Sequence, residues 1–160
     1  RGGTTNVPGV VGFAEAFRIA ERDREKNFEY VSSLRDRFID RILSEIPFVK
    51  LNGPRENRLP ANADFSFKFI EGESILFSLD LAGISVSSGS ACSSGSLDPS
   101  HVLLALGLPE ELAHGSIRFT FGKHNTVEEI DYAVEEIKSA VNRLREMSPL
   151  FKTEGVIKNV

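Results

Sequence analysis

A helical hydrophobic repeat over residues 7–46 places the strongest constraint on how this chain can fold. Asn6 is a candidate N-cap, and Pro8 falls in the first turn that follows it. Apolar residues then recur every three or four positions, apart from a charged stretch at 21–26, until Pro47 ends the repeat. A single helix of this length would be ~60 Å long, which exceeds the width of a small domain. The repeat therefore predicts either a connector to another part of a protein or two helices separated by a break.

Short strand patterns alternate with helix patterns in the rest of the chain. The predicted strands are Phe48–Leu51, Ala63–Phe69, Ile84–Ser87 and Ser116–Phe121. The predicted helices are Glu73–Ala82, His101–Leu106 with Asp98 as its N-cap and Pro99 in its first turn, and a long helix between the capping residue Thr126 and Pro149. These elements predict an α+β fold for residues 47–160, a small sheet covered by helices, preceded by the long helical connector of residues 1–46.

Strict alternation assigns the faces of two of the strands. Apolar side chains expected on the core face are Phe65, Phe67, Phe69, Ile117, Phe119 and Phe121. Arg118 and Thr120 fall on the opposite face of their strand. Six apolar positions of the last helix, from Val127 to Leu144, are likewise expected to face the core.

Composition excludes several classes of function. The 160 residues carry 19 Lys plus Arg against 23 Asp plus Glu, and the formal charge of −4 gives no basic surface for nucleic acid. No apolar run approaches the ~20 residues of a membrane helix, and the start of the chain has no signal-peptide pattern. The single cysteine, Cys92, excludes an internal disulfide and a zinc site built on cysteine pairs. We therefore expect a cytoplasmic protein without a metal site.

Cys92 lies in the most unusual segment of the sequence. Every residue from Ser87 to Ser96 is Ser, Gly, Ala or Cys, so no large side chain anchors the segment and a mobile loop is expected. A free cysteine is often simply buried, but the neighbours of Cys92 in sequence are not apolar. A thiol on such a loop is suited to attack a reaction centre and then move away.

Several thiol and phosphate chemistries do not match the residues around Cys92. A phosphatase-type cysteine needs an arginine about six positions later, where this chain has Asp98. None of the local sequence patterns of cysteine proteases surrounds Cys92, although the three histidines of the chain are available as partners. The loop also lacks the Gly-Lys-Ser/Thr element of a phosphate-binding P-loop. A carrier or attacking thiol remains.

Arg118 is the second candidate site residue. On a polar strand face it is either a solvated arginine or a bidentate clamp for a carboxylate, for which guanidinium geometry is suited. His101, His114 and His124 are more simply interpreted as surface or helix-capping residues.

Several motifs, in order along nearly the whole chain, resemble the C-terminal part of NifS/IscS-type cysteine desulfurases. They are Arg1–Thr4, Asn6–Gly12, Glu71–Leu76, Ser88–Ser94, Leu97–Leu108 and Glu111–Gly122. The resemblance implies the C-terminal small domain of a fold-type I, aminotransferase-like enzyme that depends on pyridoxal phosphate (PLP). Residues 1–46 would then be the end of the large domain and the connecting helix.

The family resemblance also implies an activity and residue roles. Such enzymes remove sulfur from L-cysteine, giving L-alanine and an enzyme persulfide for iron–sulfur cluster assembly or other sulfur transfer. Cys92 matches the loop cysteine that receives the sulfur, and Arg118 matches the arginine that holds the substrate carboxylate. Thr4 matches a threonine that reaches the cofactor phosphate of the other subunit in a homodimer. The long loop around Cys92 resembles that of the group that hands sulfur to scaffold proteins.

The chain departs from the family in its length. Family members are about twice as long or more, and their Schiff-base lysine, stacking aromatic and pyridine-nitrogen aspartate lie upstream of Arg1. Neither Lys68 nor Lys123 lies in the expected setting for that lysine. We therefore predict the C-terminal portion of a desulfurase that is inactive without its N-terminal portion. Two alternatives remain open: a non-catalytic persulfide carrier or scaffold-binding module, and a selenocysteine lyase-like PLP enzyme.

Overall fold

A four-stranded antiparallel sheet organises the chain in the computed structural model, which describes residues 2–88 and 99–155. The helices are α1 (Val7–Arg22), α2 (Arg24–Glu45), α3 (Gly72–Leu81), α4 (His101–Ala105), α5 (Glu110–His114) and α6 (Val127–Met147). The strands are β1 (Val49–Leu51), β2 (Asn62–Phe67), β3 (Ser87–Ser88) and β4 (Ser116–Thr120), and a π-helical turn covers Phe151–Gly155. This arrangement confirms the predicted α+β class.

The strand order is β1-β2-β4-β3, so the two central strands are distant in sequence. In register, Val49 pairs with Phe67, Phe65 with Ile117, and Ser88 with Ile117 on the other side of β4. The core lies on one face of this sheet, where α2, α3 and α6 supply the opposing apolar side chains. The fully buried members of the core include Leu34, Phe38, Ile39, Ile42, Phe65, Phe67, Ile75, Leu79, Ile117, Val134, Ile137 and Val141.

The long N-terminal repeat forms two helices that are separated only by Asp23. As predicted, Asn6 caps the first helix by accepting a hydrogen bond from the backbone N–H of Gly9 at 3.1 Å. No residue of α1 is buried within the described structure, whereas the second half of α2 packs against the sheet. The division of the chain at residues 46 and 47 remains a prediction, although α2 contributes to the core formed by the residues that follow it.

Several local expectations differ from the structure. The strand predicted at Ile84–Ser87 forms only at Ser87–Ser88, and residues 84–86 lie outside it. Strand β2 ends at Phe67, and Phe69 adopts a left-handed backbone (φ 73°) that directs its ring away from the core face. Helix α4 begins at His101 with Ser100 as its N-cap, because Pro99 precedes the helix instead of occupying its first turn. Val127 is 40% exposed at the first position of α6, where the helix has not yet reached the core. The predicted cap Asp98 lies outside the described residues.

The ring of Phe69 belongs to an aromatic cluster around Arg145. Its guanidinium is buried and donates to the backbone oxygens of Pro47 (2.7 Å), Phe48 (3.1 Å) and Lys68 (3.2 Å). The rings of Phe48 and Phe151 lie 5.7 and 5.8 Å from its central carbon, and Phe69 packs on both rings. Burial lowers the pKa of Arg145 to about 10, so the side chain is charged at neutral pH. These contacts of Arg145 connect the end of α6 to the start of β1.

Candidate functional site on the polar face of the sheet

The sheet face opposite the core is polar, and we call it the polar face. Successive side chains of a strand point to opposite faces, so residues that pair across strands share one face. Ser66 pairs with Ser116, Asp64 with Arg118, and Arg118 with Ser87 on the other side. The polar face comprises Lys50, Asn52, Asn62, Asp64, Ser66, Ser87, Ser116, Arg118 and Thr120.

A buried hydrogen-bonded network occupies the β1 side of the polar face. The side-chain amide of Asn52 donates to Asp64 Oδ1 at 2.6 Å and to Ser66 Oγ at 2.9 Å. Asn52 and Ser66 are buried, and Asp64 is half-buried. Ser116 Oγ is also buried and has no hydrogen-bond partner within the described structure. The network therefore fixes Asp64 from one side.

Arg118 lies directly beside this network. Its side chain is exposed, and it forms no hydrogen bond or ion pair within residues 2–88 and 99–155. Its cross-strand partner Asp64 places a carboxylate on the same face, because directly opposed residues have Cβ atoms ~4.5–5.5 Å apart. The guanidinium is thus available to bind an anion on this face.

Electrostatics at Asp64 reflect its burial. Desolvation raises the pKa of the Asp64 carboxyl, because burial disfavours the charged form. The hydrogen bond from Asn52 and the charges of Arg118 and Arg58 act in the opposite direction, but they do not cancel the effect of burial. The guanidinium of Arg58 donates hydrogen bonds to the backbone oxygens of Pro54, Asn62 and Asn52.

Cys92 follows strand β3 in the sequence, and β3 pairs with the strand of Arg118. Residues 89–98, and with them Cys92 and most of the predicted mobile loop, lie outside the described residues. In strand β3, Ser87 pairs with Arg118 and Ser88 with Ile117. Only residues 89–91 separate Ser88 from Cys92, so the covalent chain limits the distance between their Cα atoms to ~14 Å.

Thr4 lies away from that ladder, in the exposed segment before α1. Gly3 has a positive φ of 96°, and the segment runs into the N-terminus of α1 at Val7. A threonine hydroxyl beside a helix N-terminus is a donor set that suits a phosphate group.

The three histidines are exposed at the ends of elements. His101 begins α4, His114 ends α5, and His124 lies in the connection before α6. Among the described residues, no three His, Cys, Asp or Glu side chains gather as a metal site would require. No described helix combines the length and the apolar composition of a membrane span.

The sequence pattern predicts Arg118 as a site residue but does not predict the network of Asn52, Asp64 and Ser66. The alternation of β2 does indicate that Asp64 and Ser66 share a face. What the sequence lacks is the register between β2 and β4, which are separated by α3, α4, α5 and β3. Asn52 directly follows the predicted strand Phe48–Leu51, and nothing in the local pattern marks it as buried.

Comparison with known proteins decides the family. A family model described as aminotransferase class V matches residues 1–133. The chain is a member of the aminotransferase class-V family.

Curated relatives of this class-V chain are named as cysteine desulfurases. It is 51% identical to "Cysteine desulfurase IscS" of Dictyoglomus turgidum over 157 residues, which are 98% of this chain and 40% of the relative. It is 54% identical to the protein of the same name from Vibrio vulnificus over 152 residues, or 94% of this chain and 37% of the relative. The chain thus spans about two fifths of the length of the relatives it matches.

A solved structure described as a NifS-like protein has the same fold. The two superpose with a TM-score of 0.77 at 32% sequence identity, covering 90% of this class-V chain and 36% of the other. Together with the curated relatives, this match confirms the resemblance to NifS/IscS-type enzymes. It also confirms that the described α+β unit has the fold of part of such an enzyme.

Proposed function

We propose that this chain is the C-terminal part of a PLP-dependent cysteine desulfurase that forms a persulfide on Cys92. The observation that carries the proposal is the position of Arg118, an exposed guanidinium with no side-chain partner among the described residues, next to the strand that leads into the Cys92 segment. An amino-acid substrate whose carboxylate binds Arg118 would have its side chain within reach of that segment. The names of the relatives support L-cysteine as the substrate.

The overall reaction balances without an external oxidant. The Cβ–S bond of L-cysteine breaks, its electron pair remains with the carbon, and one proton completes the methyl group of L-alanine. The sulfur is transferred to the thiolate of Cys92, where a new S–S bond makes a persulfide. Arg118 orients the substrate through its carboxylate. The thiolate, not the thiol, is the attacking species.

PLP, which the family implies, supplies an electron sink when it is bound. The chemistry of Thr4 fits a contact to its phosphate, because a hydroxyl donor lies in an exposed segment that runs into a helix N-terminus. We assign Thr4 this role toward the cofactor of the other subunit of a homodimer. The lysine that holds the cofactor belongs to an upstream part of the protein.

The exposed apolar face of α1 supports the existence of that upstream part. Phe13 and Phe17 are 74% and 66% exposed, and valines 7, 10 and 11 are exposed on the same helix. A helix with this much uncovered apolar surface needs a partner.

The proposal also includes a scaffold protein that accepts the sulfur from Cys92, and a cytoplasmic location. The single cysteine of the chain supports the cytoplasmic location.

The first test is denaturing mass spectrometry of the protein purified from its natural source after reduction with borohydride. A pyridoxyl adduct on a polypeptide that carries this chain, or on one that co-purifies with it, is the expected result. If this chain is purified alone and without an adduct, the proposal of a PLP enzyme fails for this polypeptide.

Variants of the complete enzyme separate the three functions. Cys92→Ser is expected to abolish persulfide, and Arg118→Ala to raise KM for L-cysteine at least tenfold. A persulfide carrier would lose persulfide in Cys92→Ser but would show no dependence of L-cysteine affinity on Arg118. Full activity of Cys92→Ser toward selenocysteine would instead indicate a selenocysteine lyase.

A further inference from the structure

Among the described residues of the polar face, Asp64 is the one acidic side chain, and it lies opposite Arg118. We propose that Asp64 is a positioning residue that holds one edge of the Arg118 guanidinium, so that the other edge meets the carboxylate of the substrate. This inference rests on the proposed function and assigns a task to a residue that does not itself touch the substrate.

Geometry fixes Asp64 in place for this task. The amide of Asn52 donates to Oδ1 of Asp64 at 2.6 Å, and that amide is held in turn by Ser66. Oδ2 of Asp64 accepts no hydrogen bond from the described residues and is left for the opposing strand. A carboxylate anchored through one oxygen can orient a neighbour through the other.

The other nearby cation does not compete for this role. Arg58 is close enough for its charge to act on Asp64, but its donors are engaged by the backbone oxygens of Pro54, Asn62 and Asn52. Arg118 has no such partners within the described structure. Arg118 is therefore the arginine whose guanidinium Asp64 can position.

Arginine can serve both anions at once. Its guanidinium carries five N–H donors arranged along separate edges of one plane. An unrestrained arginine on an exposed strand face samples many rotamers, and fixing it on substrate binding costs conformational entropy. Asp64 lies opposite Arg118 and its charge interacts with that of Arg118, so it can accept one edge of the guanidinium as the substrate carboxylate binds the other, and its effect is expected in substrate affinity more than in turnover.

The burial of Asp64 supports a role other than stability. Its carboxyl has a raised pKa because it is desolvated, so the folded state is less stable with this charge than without it. An asparagine at position 64 would keep an oxygen for the hydrogen bond from Asn52 and would avoid the buried charge. Stability alone therefore does not explain the aspartate.

The test is steady-state kinetics of the complete enzyme with L-cysteine. Asp64→Ala is expected to raise KM about tenfold, the effect of losing one charge-assisted hydrogen bond, with kcat within about twofold of wild type. Asp64→Asn is expected to raise KM about threefold while raising Tm. In the Arg118→Ala background, Asp64→Ala is expected to have no further effect on KM. Competitive inhibition by L-alanine, which retains the carboxylate, should weaken in parallel with KM.

Asp80→Ala is the matched control, because Asp80 is an exposed aspartate on α3. Wild-type KM in Asp64→Ala would overturn the inference, as would additive effects of Asp64→Ala and Arg118→Ala. A fall in kcat and Tm together with an unchanged KM would show a structural role and would also overturn it. If the wild-type enzyme has no desulfurase activity, the proposed function itself has failed.

Discussion

At the scale of single residues, the buried charge of Asp64 makes stability depend on pH. A raised pKa means that the folded state binds the proton more tightly than the unfolded chain does. Ionised Asp64 therefore destabilises the fold at neutral pH. The penalty fades as pH falls through the raised folded value, and it is absent below the ordinary value of 3.8.

Asp64→Asn is thus expected to raise the Tm of this chain at pH 7 by a few degrees, where about 1 kcal/mol corresponds to roughly 2–4 °C for a domain of this size. The difference from wild type should shrink steadily as pH is lowered towards 4. Thermal unfolding followed by circular dichroism at several pH values measures both effects. An Asn variant that is less stable at pH 7 would show that attraction to Arg118 and Arg58 outweighs burial.

Arg145 illustrates how far individual residues can be interpreted from sequence. Its position on α6 is adjacent to Leu144, the last apolar residue of the predicted repeat, and nothing in the local pattern marks it as buried. Its partners are the backbone oxygens of Pro47, Phe48 and Lys68, which lie 98, 97 and 77 positions earlier in the sequence and come together only when α6 docks beside β1. Sequence periodicity locates apolar faces, but it does not locate a long side chain that reaches past its own face.

At the scale of elements, the close packing of α5 on β2 depends on Gly115. A Cβ at this position would collide with the carbonyl oxygen of Phe67 and would lie 3.0 Å from that of Ile70. Both atoms are backbone, so neither can move aside as a flexible side chain would. The backbone of Gly115 also accepts the N–H of Phe67 at 2.9 Å, which places the contact at the end of β2.

Gly115→Ala is therefore expected to destabilise the chain by about 1–3 kcal/mol, the usual range for forced overpacking. Urea denaturation followed by circular dichroism measures the change as a lower midpoint. Gly122→Ala is the control, because its nearest neighbour, Oδ1 of Asn125, would lie 3.8 Å from the new Cβ. Equal midpoints for the two variants would contradict the steric argument.

Element patterns were predictable where a residue's neighbours in sequence determine its environment. The alternation of Phe65 and Phe67, the capping box at Thr126 and the break in the long repeat all follow from local spacing. Helix α5 was missed because its five residues are too few to establish a period. The polar network was missed because it depends on register between strands that are distant in sequence.

At the scale of the whole molecule, we expect the apolar side chains of α1 to stabilise the complete protein but not this chain alone. Its apolar side chains pack on nothing that buries them within the described structure. We propose that the upstream part of the desulfurase covers them. Burying a phenylalanine contributes roughly 2–3 kcal/mol, but for α1 this gain exists only in the complete protein.

Phe13→Asp is accordingly expected to leave the Tm of the isolated chain within about 1 °C of wild type and to lower the Tm of the complete protein by several degrees. Leu59→Asp is a closely matched control, because Leu59 is 75% exposed and Phe13 is 74% exposed, and it should change neither value. Differential scanning fluorimetry of both proteins provides the comparison. If Phe13→Asp leaves the complete protein as stable as wild type, the upstream part does not cover this face of α1. The exposed helix would then need a different partner, such as a second copy of the chain, whose presence would be seen as a concentration-dependent change in mass.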